Sequence, residues 1–306
     1  MIIERAQLAC KIEATEGTAE SLTNAEAILA MNVSFKPVIA MKTRENIASS
    51  ISSFSQVPGA RSAVLEFDVE YKGSGTAATP PAWGKLLKAC GFGETIAATV
   101  TYVPASTSIS SMTLALYNDG MIYKLWGARG NVSLKLVKGD YGILHFTFTG
   151  ADFSITDGAL LASVTYESTK PQPFMGASSF TIDSYAALVS SLEFNMNNTV
   201  TLRPSIIASS GNFSAVITNR APSLSLDPEG ILVATYDFFG KLRSGNEGAI
   251  AACVVGAAAG NTLTLTAPKV QYTGGSLADR SGIRSFGITC QLNRNAGDDE
   301  ISIVHS

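Results

Sequence analysis

A chain of 306 residues is long enough for two ordinary domains, each with its own buried core. Only 15% of its residues are charged and the net charge is −3, the wrong sign for a protein that grips phosphate backbones. So few charges leave little polar surface to cover a free monomer, so part of the outside is expected to lie against copies of the same chain.

The longest apolar run, 248–260, is made of small residues and falls short of the roughly 18 that a membrane helix needs. Glu4 and Arg5 follow Met1, Ile2 and Ile3 without a long apolar stretch, which is read as no secretory signal and folding in a cytoplasm. Cys10, Cys90, Cys253 and Cys290 are far apart among apolar or small neighbours, as reduced structural thiols are, and no disulfide framework is expected.

A polar segment, 13–26, precedes a period-2 alternation through Val33, Phe35 and Val38 to Met41, which predicts the first strand. A serine-rich loop is predicted over 43–61, too long for a tight hairpin turn. Alternation then resumes: Leu65, Phe67, Val69 and Tyr71 share one face of a strand, and Glu66, Asp68 and Glu70 share the other. That acidic row faces water, a partner or a lumen.

Pro81 to Cys90 reads as a short helix, with Trp83, Leu86, Leu87 and Cys90 at helical spacing and Gly91 at the stop. Strands are predicted at 98–103, 112–117, 121–126, 131–137 and 143–148, separated by turn residues such as Asn118–Asp119–Gly120 and Gly139–Asp140. Short strands joined in this way indicate a β-sandwich or barrel. Pro171 and Pro173 mark a linker or a domain boundary at 170–174.

The second half repeats the order of the first. Val33 to Met41 matches Leu192 to Leu202, each followed by a serine-rich loop, the second at 205–221. Arg61 to Gly91, with Trp83–Gly84–Lys85–Leu86, matches Arg220 to Gly245, with Phe239–Gly240–Lys241–Leu242, and Asn131 to Gly150 resembles Asn261 to Gly275. A duplicated subunit closing a ring of three would present six similar units, so a trimer with pseudo-sixfold symmetry is expected.

Raw material for catalysis is sparse, and no enzyme, cofactor or metal site is expected. His145 lies inside an apolar strand and His305 at the terminus, which is expected to be frayed. Asp298, Asp299 and Glu300 lack the ligand spacing of a calcium loop and read as a solvated or interface-facing turn. Gly127, Gly130 and Gly139 form no phosphate loop, and Glu66 with Asp68 or Glu70 lacks the aromatic platform of a glycosidase site.

Three stretches carry a resemblance to a known family. KIEATEGTAES, Lys11 to Ser21, resembles the arm that opens the major tail tube proteins of long-tailed, siphovirus-like bacteriophages. The C-terminal PKVQYTGGSLADRSGIRSFGITCQLNRNAGDDEISI is similar to that family's final hairpin and acidic ending, and the loop 43–61 sits where the family carries a loop reaching the neighbouring ring.

The resemblance implies an all-β fold of tail-tube-type sandwich or barrel units, each with a short flanking helix; the repeat makes them tandem, a departure from the family's single-domain pattern, with an arm at 1–30 and units at 31–170 and 171–306. It also implies a structural virion protein, assembled in the host cytoplasm, that stacks as rings into a conduit for DNA ejection, the rings being homotrimeric here because of the repeat rather than sixfold. Expected partners are other copies of itself and the tape-measure, tail terminator and distal tail proteins, with viral DNA passing through without sequence-specific binding, and no membrane. Inter-ring contacts are expected at Lys11, Glu13, Thr15, Gly17, Thr18, Ser49, Ser52, Phe54, Asp298, Asp299 and Glu300, and a lumen lining at Glu66, Asp68 and Glu70. The alternatives are another self-assembling β subunit, decorating or pilus-like, or a carbohydrate-binding β-sandwich.

Overall fold

The computed structural model describes residues 2, 4–176 and 178–306. Met1, Ile3 and Ala177, on which parts of the signal-peptide reading, the expected arm and the expected second unit fall, lie outside the described residues. The chain is mainly β, with 52% of residues in strands and 5% in helices, built as large antiparallel sheets with two short helices.

In chain order the first half runs β1 (Ala6–Ile12), β2 (Ala27–Ile28), β3 (Met31–Lys42), β4 (Val57–Glu70), α1 (Gly84–Ala89), β5 (Phe92–Ile96), β6 (Val100–Pro104), β7 (Met112–Asn118), β8 (Gly120–Val137), β9 (Ile143–Gly150) and β10 (Asp152–Gly158). The second half runs β11 (Ser179–Ile182), β12 (Ser191–Asn195), β13 (Thr199–Pro204), β14 (Asn212–Asn219), β15 (Ser223–Leu226), α2 (Phe238–Ser244), β16 (Glu247–Val255), β17 (Leu263–Arg280), β18 (Ile283–Leu292) and β19 (Ser302–His305).

One antiparallel sheet crosses both halves in the order β3-β4-β9-β8-β12-β15-β18-β17. The joint is β12, whose Leu192 and Phe194 pair with Leu136 and Leu134 of β8. Behind it lie two outer sheets, β2-β1-β7-β8-β10 and β11-β16-β17-β19-β6-β5. The strands β8 and β17, each 18 residues long, belong to both layers: the first part of each pairs in an outer sheet and the last part in the central one.

This is the same connectivity twice. The order β1-β7-β8-β10 recurs as β11-β16-β17-β19, and β4-β9-β8 recurs as β15-β18-β17. The hairpin β5–β6 has no counterpart among the described residues and stitches the halves together, since Tyr102 pairs with Ile303 of β19.

Period-2 burial explains the layering. Leu65, Phe67 and Val69 on β4, Leu144, Phe146 and Phe148 on β9, Val132, Leu134 and Leu136 on β8, Leu192 and Phe194 on β12, and Ile288 and Cys290 on β18 all point inward and are at most 5% exposed. Phe67 stacks on Phe148 and Phe146 with ring centroids 5.9 and 5.6 Å apart. Trp83, at the start of α1, is 1% exposed, packs between Tyr71 and Tyr102, and donates its indole N–H to the Lys72 carbonyl at 2.7 Å. On α2 the equivalent plug is Phe238, which is 1% exposed, whereas Phe239, the residue matched to Trp83 by sequence, is 36% exposed.

Several elements differ from expectation for identifiable reasons. The loop after β3 ends at Gln56, because Val57 and Pro58 already pair with Lys42 and Met41. The strands expected at 121–126 and 131–137 are the single β8: Gly127 and Gly130 serve the passage between sheets, not a turn. The serine-rich stretch 205–221 contains β14. The helix expected from Pro81 begins at Gly84, after a turn in which the Gly84 N–H reaches the Pro81 carbonyl at 2.8 Å. His305 is not frayed: it is fully buried in β19, and its Nε2 lies 2.8 Å from the Gly260 carbonyl oxygen. All four cysteines are free and buried, and burial pushes the thiol of Cys10 up to about 11 and those of Cys253 and Cys290 up to about 12.

Trp83→Ala should lower unfolding free energy by about 3–5 kcal/mol, while Lys135→Ala, on the exposed face of β8, should stay within about 0.5 kcal/mol, both read from urea midpoints of the unassembled chain. Equal effects would contradict the assignment of the core.

Candidate functional site

Among the described residues no group of His, Cys, Asp or Glu side chains could hold a metal ion. The features that set this chain apart are surfaces: one polar sheet face, two open sheet edges and two projecting hairpins.

The face of the central sheet opposite the core carries the acidic row. Glu66 is exposed, Asp68 accepts a hydrogen bond from Asn32 Nδ2 at 2.7 Å and lies 2.7 Å from His145 Nδ1, and Glu70 pairs with Lys72 at 2.9 Å. His145 therefore lies on this polar face, not in the core. Ser133, Lys135, Glu193, Ser225 and Thr289 continue the same face across the joint, where Lys135 sits opposite Glu193. The acids of the first half are thus only part of a wider polar, mixed-charge surface.

Both ends of this sheet are open. The backbone of β3 pairs with β4 alone among the described residues, and β17 beyond Gln271 pairs only with β18. An unpaired antiparallel edge is a template for another strand.

The two hairpins are equivalent in the fold and differ in surroundings. Hairpin β13–β14 folds back on the first half: Ser214 and Ala215 are fully buried, the Arg61 N–H reaches the Ser210 carbonyl at 2.9 Å, and Asn212 Nδ2 donates to the Arg61 carbonyl at 3.0 Å. In β3–β4, every residue from Lys36 to Ala60 is exposed. Both tips hold apolar side chains in open solvent, Ile47 and Ile51 on one and Ile206 and Ile207 on the other. Ser49, Ser52 and Phe54 lie on the first tip, where Ser50 Oγ donates to Ser52 Oγ at 2.9 Å and Arg44 stands 5.5 Å above the Phe54 ring.

Arg129 holds the docked hairpin. Its guanidinium, on β8, donates to Glu16 Oε1 at 2.7 Å, to the Ile109 carbonyl at 2.7 Å and to the Ala215 carbonyl. Glu16 also accepts from Ser214 Oγ at 2.6 Å. Burial alone would raise the Glu16 carboxyl, but the hydrogen bonds from Ser214 and Arg129 outweigh it and hold it below its usual range. One cation thus ties the N-terminal segment, β8 and β14 together.

The N-terminal candidates serve this junction. Glu13 is buried and accepts four hydrogen bonds, from the N–H groups of Gly17 and Gly127 and the hydroxyls of Ser111 and Thr113, at 2.7 to 3.0 Å. Gly17 has φ +76°, and a Cβ there would lie 2.5 Å from the Phe213 carbonyl oxygen. Lys11 pairs with Glu20 at 2.8 Å, while Thr15 and Thr18 remain exposed.

The acidic ending is a clasp. Arg220 donates to Asp298, to Glu300 at 3.1 Å and to the Ala105 carbonyl at 3.0 Å, and Asp298 also accepts from Ser106 Oγ at 2.5 Å. Hydrogen bonds from Ser106 and then Arg220 hold the Asp298 carboxyl below its usual range. Asp299 caps its own turn by accepting the N–H groups of Asn295, Ala296 and Gly297. Sequence reasoning missed Arg129 and Arg220. The available signal for Arg129 was a lone cation between glycines inside an apolar strand.

A family model described as "Phage tail tube protein" matches residues 4–290. None of the curated proteins matches the chain.

Arg129→Ala strands the Glu16 carboxylate and the Ala215 carbonyl and should cost about 3–5 kcal/mol in urea unfolding, with trypsin gaining access to Arg203 on β13. The depressed carboxyls of Glu16 and Asp298 stabilise the fold above their unfolded values of about 4, and this contribution drains away as pH falls through their lower native values. The contribution of these carboxyls should therefore be complete above about pH 5 and fall away below about pH 4, a loss of stability on the acid side that thermal melts across pH would check.

Proposed function

The chain belongs to the phage tail tube protein family and is a structural protein of the virion tail; from that premise we propose that it polymerises as closed rings of three subunits, stacked into the conduit for DNA ejection into the host cell. The observation that carries this reading is the central sheet with its two open edges. Joining β3 of one subunit to β17 of the next, antiparallel as β12 joins β8, removes both edges at every interface. Three chains of eight strands then close a 24-stranded barrel, a size that leaves an open channel.

The repeated connectivity supports a duplicated chain with units at 31–170 and 171–306, so that a trimer carries pseudo-sixfold symmetry. In such a ring the buried faces point outward to the helices and outer sheets, and the polar face with Glu66, Asp68 and Glu70 lines the lumen. A lining of mixed, slightly acidic charge suits passage without retention, because each phosphate contact would add adhesion. Stacking is assigned to the exposed tips, Ser49, Ser52 and Phe54 with Ile47 and Ile51 on one hairpin and Ile206 and Ile207 on the other, together with Thr15 and Thr18. Burial of isolated apolar tips supplies a driving force for ring-on-ring contact. The ends of such a tube call for capping partners, the tail terminator and distal tail proteins, and its bore for a tape-measure protein.

Electron microscopy of the purified protein at rising concentration should show hollow rings or tubes with threefold features; persistent monomers would overturn the ring reading. Replacing Glu66, Asp68 and Glu70 together by lysine should leave tubes able to form but make them retain DNA in a salt-dependent way, measurable by co-sedimentation. Tubes indifferent to DNA after this change would remove these residues from the lumen.

A further inference from the structure

The two hairpins pose an asymmetry that one contact resolves. The β13–β14 hairpin is clamped onto the first half by Arg129, whose side chain is 10% exposed. The pairing registers identify the position in the second half that corresponds to Arg129. On β8, β10 begins opposite Trp126, and the last β9 residue paired with β8 is Thr149, opposite Arg129. On β17, β19 begins opposite Thr266, so the residue at the same offset is Lys269, next to the Val270–Leu292 pair that ends β18. Lys269 is also a cation beside a carboxylate, Glu247 at 3.4 Å, but its side chain is 38% exposed, because no hairpin covers it. The hairpin that corresponds to β13–β14 is β3–β4; Phe35 at its base packs on Tyr123 and Phe153, but every residue from Lys36 to Ala60 is exposed.

We infer that the β3–β4 hairpin of each subunit folds over the second half of the neighbouring copy, where Lys269 clamps it as Arg129 clamps β13–β14. This rests on the ring reading above, and it names the surface and the residue that hold adjacent subunits together beyond the edge pairing. The strand registers also locate the acceptor. Ala215, whose carbonyl receives Arg129, lies opposite Leu202 in β13–β14, and the matching pair in β3–β4 is Met41 and Pro58. The Pro58 carbonyl is therefore the group that meets Lys269. The side chains along this hairpin fit burial against a protein surface: Val38, Ile39, Met41 and Val57 are all 43–52% exposed in the single chain. Charge also fits, since Lys36, Lys42 and Arg44 face only Glu45 within residues 31–60, and a cationic arm approaching the Glu247 side of its neighbour is steered correctly.

The test uses the full-length chain carrying Pro58→Cys and Lys269→Cys, assembled and treated with bismaleimidoethane, a short thiol-to-thiol cross-linker. The native cysteines are at most 1% exposed and contribute little background. The expected result is covalent dimer and trimer on a denaturing gel, with no band beyond three chains, while each single-cysteine variant stays at one chain mass. Rings or tubes that are visible by electron microscopy but stay at one chain mass would overturn the clamp and leave the ring reading intact. A ladder running past three chains would also overturn it, since the hairpin would then reach between rings. A double variant whose wild-type parent forms no ring under the same conditions overturns both readings together.

Discussion

Backbone hydrogen bonding across the middle of the chain is the constraint on which the rest of the structure depends. Because β12 pairs with the last part of β8, the two halves share one continuous sheet rather than meeting through side chains alone, and the sheet must end somewhere. It ends at β3 and at the far part of β17, where donors and acceptors stay unspent within the chain. A low charge content, which looks anomalous for an isolated subunit, is then in keeping with the amount of surface these ends leave to be covered.

Two arginines, Arg129 buried and Arg220 half-buried, fix how the halves sit on that sheet. Arg129 gathers the N-terminal segment and β14, and Arg220 gathers the C-terminal turn and the loop at Ala105 and Ser106. Each guanidinium binds carbonyls as well as carboxylates, a planar fork of donors that a lysine would not reproduce. Such sites hold geometry more than they add net stability, since pairing must first offset the desolvation of the charge. Glu13 acts in the same way with neutral donors, so a residue that reads in sequence as part of a charged arm is an internal hub.

What the sequence made legible was what period-2 burial encodes. The core of β4 and β9 was visible because one face is uniformly apolar and the other polar, and the acidic row was visible for the same reason. The repeat was visible in its early elements, through the strand, the serine-rich loop and the short helix. It blurred at the helix, where Phe238 rather than Phe239 is the buried aromatic, and along β17, whose counterpart of Gly130 by pairing is Val270, so the match of Asn131 to Asn261 is out of register. Glycine and serine misled in both halves. They were read as punctuation, yet Gly127 and Gly130 let one strand change sheets, and β14 forms within a serine-rich stretch because β13 and the Arg129 site supply its partners. Partners distant in sequence decide such elements, and no local pattern records them.

The passage of β8 and β17 through both layers has a mechanical consequence. Two stacked sheets held only by side chains can slide over one another when the wall is bent, so each resists as a separate thin skin. Here covalent ribs run from one skin into the other twice per chain, which suppresses that slip. The pair then flexes as a single plate with a skin separation of about 10 Å, and bending stiffness in such a laminate grows with the square of that separation. A wall built from this chain gains rigidity from the path of two strands rather than from extra mass.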